Sequence, residues 1–284
     1  MGKLRDQMEM DMKLRRFSPK TISCYLGCMK NVAIHFGKSP AELGEEEIRR
    51  YLLYLIEDRK ASQAVISQSY SALKFFFEKT IQKPWNILKI PRSKRAKKLP
   101  GVLSKQEVKS ILSATRNLKH RAILMTIYAA GLRVGEVTRL KVSDIDSGRM
   151  MIRVNEGKSL KDRYSLLGEK NLEVLRLYYK AYRPSDWLFP GRNPSEPVSI
   201  SSVQRVFKAS VRKAGIKKKA SVHTLRHCFA THLLESGTDL YYIQRLLGHC
   251  SARTTSVYLH ITGRDLSKIR SPIDLLGDDQ KPEH

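Results

Sequence analysis

Four residues in the stretch 223–258 are of types and spacings that could attack a phosphodiester: His223, Arg226, His249 and Tyr258. Residues three apart on a helix share a face, so His223 and Arg226 can aim at one target. Two donors aimed together suit an anion. A phenol, with a pKa near ~10, is a weak nucleophile. It becomes useful where neighbouring cations and hydrogen-bond donors stabilise both its anion and the transition state.

Two further cations are candidates. Arg133 follows a glycine at a predicted helix end, in Ala-Gly-Leu-Arg-Val-Gly-Glu. It would project from a rigid corner with Glu136 close enough to orient it; the alternative is a purely structural Arg–Glu pair. Lys158 falls in Asn-Glu-Gly-Lys-Ser, at the predicted tip of a hairpin, where it can reach into a groove or simply be a surface charge. Gly-Lys-Ser also ends a phosphate-binding loop, but that loop needs glycine where this chain has Ile152, so an ATPase is excluded.

Other residues read as structural. His223 and His227 have the spacing of a metal pair, yet no glutamate lies between them and Arg226 would set positive charge beside the ion, so no metal is expected. His232 and His260 read as ordinary polar helix positions. Tyr241 and Tyr242 fit helix packing better than catalysis. Cys24, Cys28, Cys228 and Cys250 form no Cys-x-x-Cys pair and read as reduced thiols of a cytosolic protein.

The elements that must position these groups follow from periodicity. Residues 1–15 predict a short helix. Ser18-Pro19 caps a second, with Ile22, Leu26, Met29, Ala33 and Phe36 at helical spacing and Gly37 as its stop. Ile48, Tyr51, Leu52, Leu55 and Ile56 mark a third helix over 45–58, and Ile66, Leu73, Phe76 and Phe77 a fourth over 62–81. Pro84-Trp85 ends this bundle. A second domain opens with the capping box Ser104-Lys105-Gln106-Glu107. A helix over 118–130, apolar on most sides, should be buried and end at Gly131. Residues 150–154 and 163–167 predict a hairpin. Helices follow at 169–183, 200–214, 223–236, 239–247 and near 252–261. The expected fold is mainly α with a small β-hairpin or sheet in the second domain (α+β). The division is a helical domain at 1–86, a basic linker at 87–102, and a domain at 103–284 with an apolar tail from about 264.

Composition names the partner. Among 284 residues, 53 Lys and Arg face 27 Asp and Glu, a formal charge of +26. That surplus implies a polyanion, most simply nucleic acid, with a generally basic surface as the plain alternative. In the linker, Arg92, Lys94, Arg95, Lys97 and Lys98 could follow a phosphate backbone. No apolar run approaches the ~18 residues of a membrane span, and the charged N-terminus has no apolar signal core.

Singly, each motif is weak; together they resemble the tyrosine site-specific recombinases of the phage-integrase family. The matching segments are Ala-Gly-Leu-Arg-Val-Gly-Glu around Arg133 and Gly-Lys-x-x-Lys-Asp-Arg around Lys158. His-Thr-Leu-Arg-His-Cys-Phe-Ala-Thr-His-Leu-Leu from His223 and Leu-Gly-His-x-x-x-x-Thr-Thr-x-x-Tyr ending at Tyr258 complete them. The resemblance covers the whole second domain, and the first looks like the family's helical core-binding domain.

The resemblance implies that Tyr258 attacks the scissile phosphate and forms a 3′-phosphotyrosyl link. Arg133 and Arg226 would clamp the non-bridging oxygens, and Lys158 would protonate the 5′-oxygen. His223 would assist proton transfer at the nucleophile, and His249 would donate to the phosphate. No metal, cofactor or ATP is implied. Many relatives have glycine after the catalytic lysine, where this chain has Ser159, which leaves Lys161 as the other candidate for that role. The compact layout looks most like Xer-type resolvases or simple mobile-element recombinases. The implied partners are double-stranded DNA and three further subunits of the same chain, or of a paralogue, in a tetramer, with the apolar tail docked on a neighbour. The implied setting is the cytoplasm, on nucleoid DNA. The competing expectations are a non-catalytic DNA-binding regulator on the same fold and a type IB topoisomerase-like enzyme that cuts without exchange.

Overall fold

The computed structural model describes residues 2–83, 101–155 and 162–248. The chain divides into two compact units, 1–97 and 98–284, and each is described by itself.

Among the described residues, the first unit is a bundle of four α-helices: α1 (Gly2–Leu14), α2 (Pro19–Phe36), α3 (Glu45–Glu57) and α4 (Gln63–Phe75). Their starts are set by local chemistry. Ser18 Oγ accepts from the Thr21 amide at 3.2 Å ahead of Pro19, and Gly37 closes α2 in the left-handed region at φ 65°. At the head of α3, Glu47 accepts from the Gly44 amide at 2.7 Å. Met8, Met12, Ile22, Met29, Ile48, Tyr51, Leu55 and Leu73 fill the core.

Two details differ from the sequence expectation. Ile56, expected on the buried face of α3, is 45% exposed. Ile48, Tyr51, Leu52 and Leu55 already complete one stripe, and Ile56 lies about 100° beyond Leu55. The fourth helix also does not run regularly to 81, because it widens into a π turn at Phe76–Thr80. Phe75, Phe76 and Phe77 are all buried. One face of a regular α-helix does not hold three consecutive side chains, and the wide turn begins where they do.

The second unit is built around α6 (Leu118–Ala130), which packs against α5 (Lys105–Ala114), α8 (Glu169–Tyr182), α9 (Ile200–Lys213) and α10 (Val222–Glu235). Ala122, Ile123, Leu124, Ile127 and Ala130 of α6 are buried as its all-round apolarity requires. Ser104 and Glu107 form the expected reciprocal cap at 3.1 and 2.7 Å. A short helix α7 (Val134–Thr138) precedes a three-stranded antiparallel sheet, β1 (Ile145–Asp146), β2 (Met151–Val154) and β3 (Arg163–Leu166), in the order β1-β2-β3. The register pairs Ile152 with Ser165 and Val154 with Arg163. Strand β1 went unread because two residues carry no alternation.

Helix α11 (Leu240–Leu247) packs on α10 through Ile243 and Leu247. Tyr241 and Tyr242 lie on its other side, 57% and 62% exposed, so they are not packing residues. His232 is likewise no ordinary polar position. It is buried on α10, accepts from the Tyr128 hydroxyl through Nδ1 at 2.8 Å, and donates through Nε2 to the Leu103 carbonyl at 3.0 Å. A carbonyl can only accept, which assigns the proton to Nε2. The Leu103 amide in turn donates to Cys228 Sγ at 3.2 Å, so α10 holds both backbone groups of Leu103. Among the described residues no helix is long and apolar enough to cross a membrane. The predicted last helix near 252–261, the linker up to residue 100 and the apolar tail lie outside the described residues.

Candidate active site

The site is a corner where α6, α7, β3, α10 and the end of α11 meet around one carboxylate, Glu136. Helix α6 ends at Gly131, left-handed at φ 61°. Only glycine fits, since a Cβ there would stand 2.3 Å from Phe229 Cδ1. The turn delivers Arg133 to the head of α7, and Glu136, at the third helical position, reaches back to accept from the Arg133 amide at 2.8 Å. Its Oε1 accepts from Arg133 Nη1 at 2.7 Å. Sequence reasoning left open whether this pair is functional or structural; the carboxylate orients the guanidinium while leaving it partly exposed, at 27%.

Arg226 comes from α10 and is 1% exposed. Its Nη1 donates to the Gly131 carbonyl at 2.7 Å and stands 3.6 Å from Glu136 Oε2; Nη2 donates to the Leu247 carbonyl at 2.6 Å. One turn earlier on the same helix stands His223, exposed on its outer side. Protein mass around its ring lowers its pKa, the guanidiniums of Arg226 and Arg133 push the same way, and Glu136 opposes them. The imidazole is therefore neutral at pH 7 and able to accept a proton. His227 packs edge-on against it with ring centroids 4.6 Å apart. Burial first, then His223 and Arg226, bring the pKa of His227 down to about 4.

Sequence reasoning gave no role to Arg163, the first residue of β3. Its Nη1 and Nη2 make a bidentate pair with Glu136 at 3.0 and 2.7 Å, and its Nε donates to the Leu246 carbonyl at 2.9 Å. Burial alone would raise the Glu136 pKa; Arg163 and then Arg133 overcome it and draw it from 4.5 down to about 2. A depressed carboxylate stabilises the fold fully above its unfolded pKa, and that contribution is lost as pH falls through the folded one. The window is thus about pH 4.5 to 2, and the shift corresponds to on the order of 3 kcal/mol. In urea titrations, Glu136→Gln should lose markedly less stability than the unaltered chain between pH 5 and pH 2.5. Parallel losses would show that another carboxylate governs acid unfolding.

The structure brings together Arg133, His223 and Arg226. Lys158, His249 and Tyr258, and the linker cations Arg92, Lys94, Arg95, Lys97 and Lys98, lie outside the described residues, as does Lys161. Among the described residues no cluster of three or more His, Cys, Asp or Glu side chains is arranged to hold a metal ion.

Residues 101–264 match the model of the phage integrase family, and residues 4–87 match the phage integrase N-terminal SAM-like domain. The chain belongs to the phage integrase family. A Sinorhizobium fredii protein provisionally named an integrase/recombinase is 43% identical over 277 residues, covering 97% of this chain and 90% of the relative. Tyrosine recombinase XerC of Pelotomaculum thermopropionicum is 32% identical over 252 residues, 81% of each chain. In fold, the chain matches a lambda integrase tetramer bound to a Holliday junction, with a TM-score of 0.74 at 23% identity over 94% of this chain and 79% of the other. By enzyme class it is a tyrosine recombinase.

Proposed function

We propose that this chain is a site-specific recombinase that cuts and rejoins double-stranded DNA through a 3′-phosphotyrosyl intermediate, working as a tetramer on two DNA sites. The observation that carries the reading is the convergence of Arg133, Arg226 and His223 on one corner, with two guanidiniums oriented by one buried carboxylate. Such a pair matches two non-bridging phosphate oxygens. In this role Tyr258 attacks phosphorus, forming the phenolic O–P bond as the P–O5′ bond breaks. His223, neutral beforehand, takes the phenolic proton; Lys158 gives one to the departing 5′-oxygen; His249 donates to the phosphate. The guanidiniums supply the charge stabilisation that a metal gives other phosphoryl-transfer enzymes. The phosphotyrosyl ester retains the bond energy, so a 5′-hydroxyl from another strand reseals the DNA without ATP.

The formal charge of +26 supports DNA as partner, and Arg92, Lys94, Arg95, Lys97 and Lys98 would track its backbone between the units. The tetramer, of this chain alone or with a paralogue, is supported by the oligomeric state of the lambda integrase neighbour. Chromosomal DNA in the cytoplasm would be its setting.

The test is to trap the intermediate. A duplex site is recovered by selection from a random-sequence library, nicked just beyond the cleavage position, and incubated with the full chain. The expected product is a protein–DNA adduct that survives denaturation and whose proteolysis leaves the 3′ end joined to the peptide containing Tyr258. Absence of any adduct on a bound site would refute the reading. The acid role is tested on the same duplex. Lys158→Ala should slow cleavage by about 100-fold or more, and a 5′-thio leaving group, which needs no proton, should restore most of the rate. Failure of the thio substrate to rescue would move that role to Lys161.

A further inference from the structure

We infer that Arg163 is a positioning residue of this active site, joining the Glu136–Arg133 pair to the end of α11 from which residue 249 departs. The inference rests on the recombinase reading above. Three guanidiniums, from Arg133, Arg163 and Arg226, surround the single carboxylate of Glu136. They differ in what their donors do. Arg133 keeps partial solvent exposure, whereas Arg163 is 10% exposed and spends both faces of its fork on protein. Its two terminal nitrogens take both oxygens of Glu136, and its Nε takes the Leu246 carbonyl. Arg163 is thus committed to holding Glu136 and the end of α11.

What it holds matters for two reasons. The bidentate pair fixes the plane of the Glu136 carboxylate, and that plane sets the direction of the Arg133 guanidinium on Oε1. At its other end, Arg163 and Arg226 take the carbonyls of Leu246 and Leu247 in turn. These are orphan acceptors at the C-terminus of α11, where the helix dipole also favours cations. The helix then stops at Gly248, left-handed at φ 62°, with the Arg163 side chain so close that a Cβ would stand 2.7 Å from Cδ. Two arginines from two different elements therefore pin the last turn of α11 in register, and the chain leaves Gly248 from a fixed point toward His249. Arg163 is also five residues past Lys158 in sequence and opens β3.

The closing experiment uses the full chain and the nicked duplex recovered by selection. Arg163→Lys keeps the charge but cannot span two carboxylate oxygens and a carbonyl. It should bind the duplex within about threefold of the unaltered chain while forming the Tyr258 adduct about 100-fold more slowly, the size of loss that a misplacement of about 1 Å brings. A role in stability alone would leave the single-turnover rate on bound duplex unchanged, so that result overturns the inference. A double-mutant cycle adds a second readout. If Arg163 acts through Glu136 and Arg133, Arg163→Lys should cost less than about fivefold once Arg133→Lys is present; additive losses overturn the inference. Should Arg163→Lys fail to fold, Arg163→Gln, which leaves Glu136 facing Arg133 and Arg226, allows the same rate measurement. Normal cleavage by that variant would also overturn the inference. An adduct mapped to Tyr258 with normal Arg163→Lys kinetics sinks only this inference, whereas no adduct from the unaltered chain sinks the recombinase reading beneath it.

Discussion

Tyr258→Phe should bind its duplex as tightly as the unaltered chain, within about twofold, and form no detectable covalent adduct. One oxygen is removed and nothing else in the proposed site changes. With a formal charge of +26, DNA affinity is expected to come from many phosphate contacts, to which a single uncharged hydroxyl adds little. The proposed reaction, by contrast, rests on this one nucleophile. Its loss should reach on the order of 10⁴-fold or more, several tenfold steps of ~1.4 kcal/mol each. The measurement is adduct formation on the nicked duplex under single-turnover conditions. It also separates the three readings. A regulator would bind without an adduct in either form. A topoisomerase-like enzyme would relax supercoiled DNA lacking the site and yield no recombinant joints. An adduct that persists in Tyr258→Phe would end the nucleophile assignment.

Arg226→Lys should follow in size, with cleavage reduced by about 10³-fold, the loss typical of removing one preorganised donor from a developing negative charge. Its geometry makes it unusually intolerant. The guanidinium donates at once to Gly131 and Leu247, carbonyls from the ends of two different helices, while facing Glu136 at 3.6 Å. A lysine ammonium is one point charge on a flexible stem and cannot hold both carbonyls and a phosphate oxygen together. Leaving one carbonyl unpaired in a buried site costs about 1–3 kcal/mol of stability, so the rates are compared well below both melting temperatures. DNA affinity should stay within about threefold. Near-normal cleavage would remove Arg226 from the phosphate clamp.

Much of this fold could be read from the sequence because its punctuation is local. Ser18-Pro19, Gly37, the Ser104–Glu107 box and Gly131 each act on the backbone within a turn, and each stands where the spacing puts it. What could not be read depends on distant parts of the chain. The π turn at Phe76–Thr80 answers crowding among three phenylalanines. Among the described residues, α10 and β3 pack against α11, and Tyr241 and Tyr242 face away from the buried Ile243 and Leu247.

The same division holds for the site. Arg133, His223 and Arg226 were legible as types at helical or turn positions, and Glu136 as the partner of Arg133. Arg163 was hidden by strand β3, whose alternation reads backwards. Tyr164 and Leu166 face outward, 52% and 40% exposed, while Arg163 and Ser165 face in. An inward arginine opposite buried Val154 demands a buried acid, and that acid is Glu136, supplied by α7. The register was the available clue, but the partner emerges only once the two elements meet.

The fastening of Leu103 has a mechanical consequence. Its amide and carbonyl are both tied to side chains of α10, by Cys228 and His232, while Tyr128 of α6 braces the imidazole from behind. Tension that reaches Leu103 along the polypeptide is therefore passed directly to the helix that bears His223 and Arg226, with the thiol and the imidazole as the rivets.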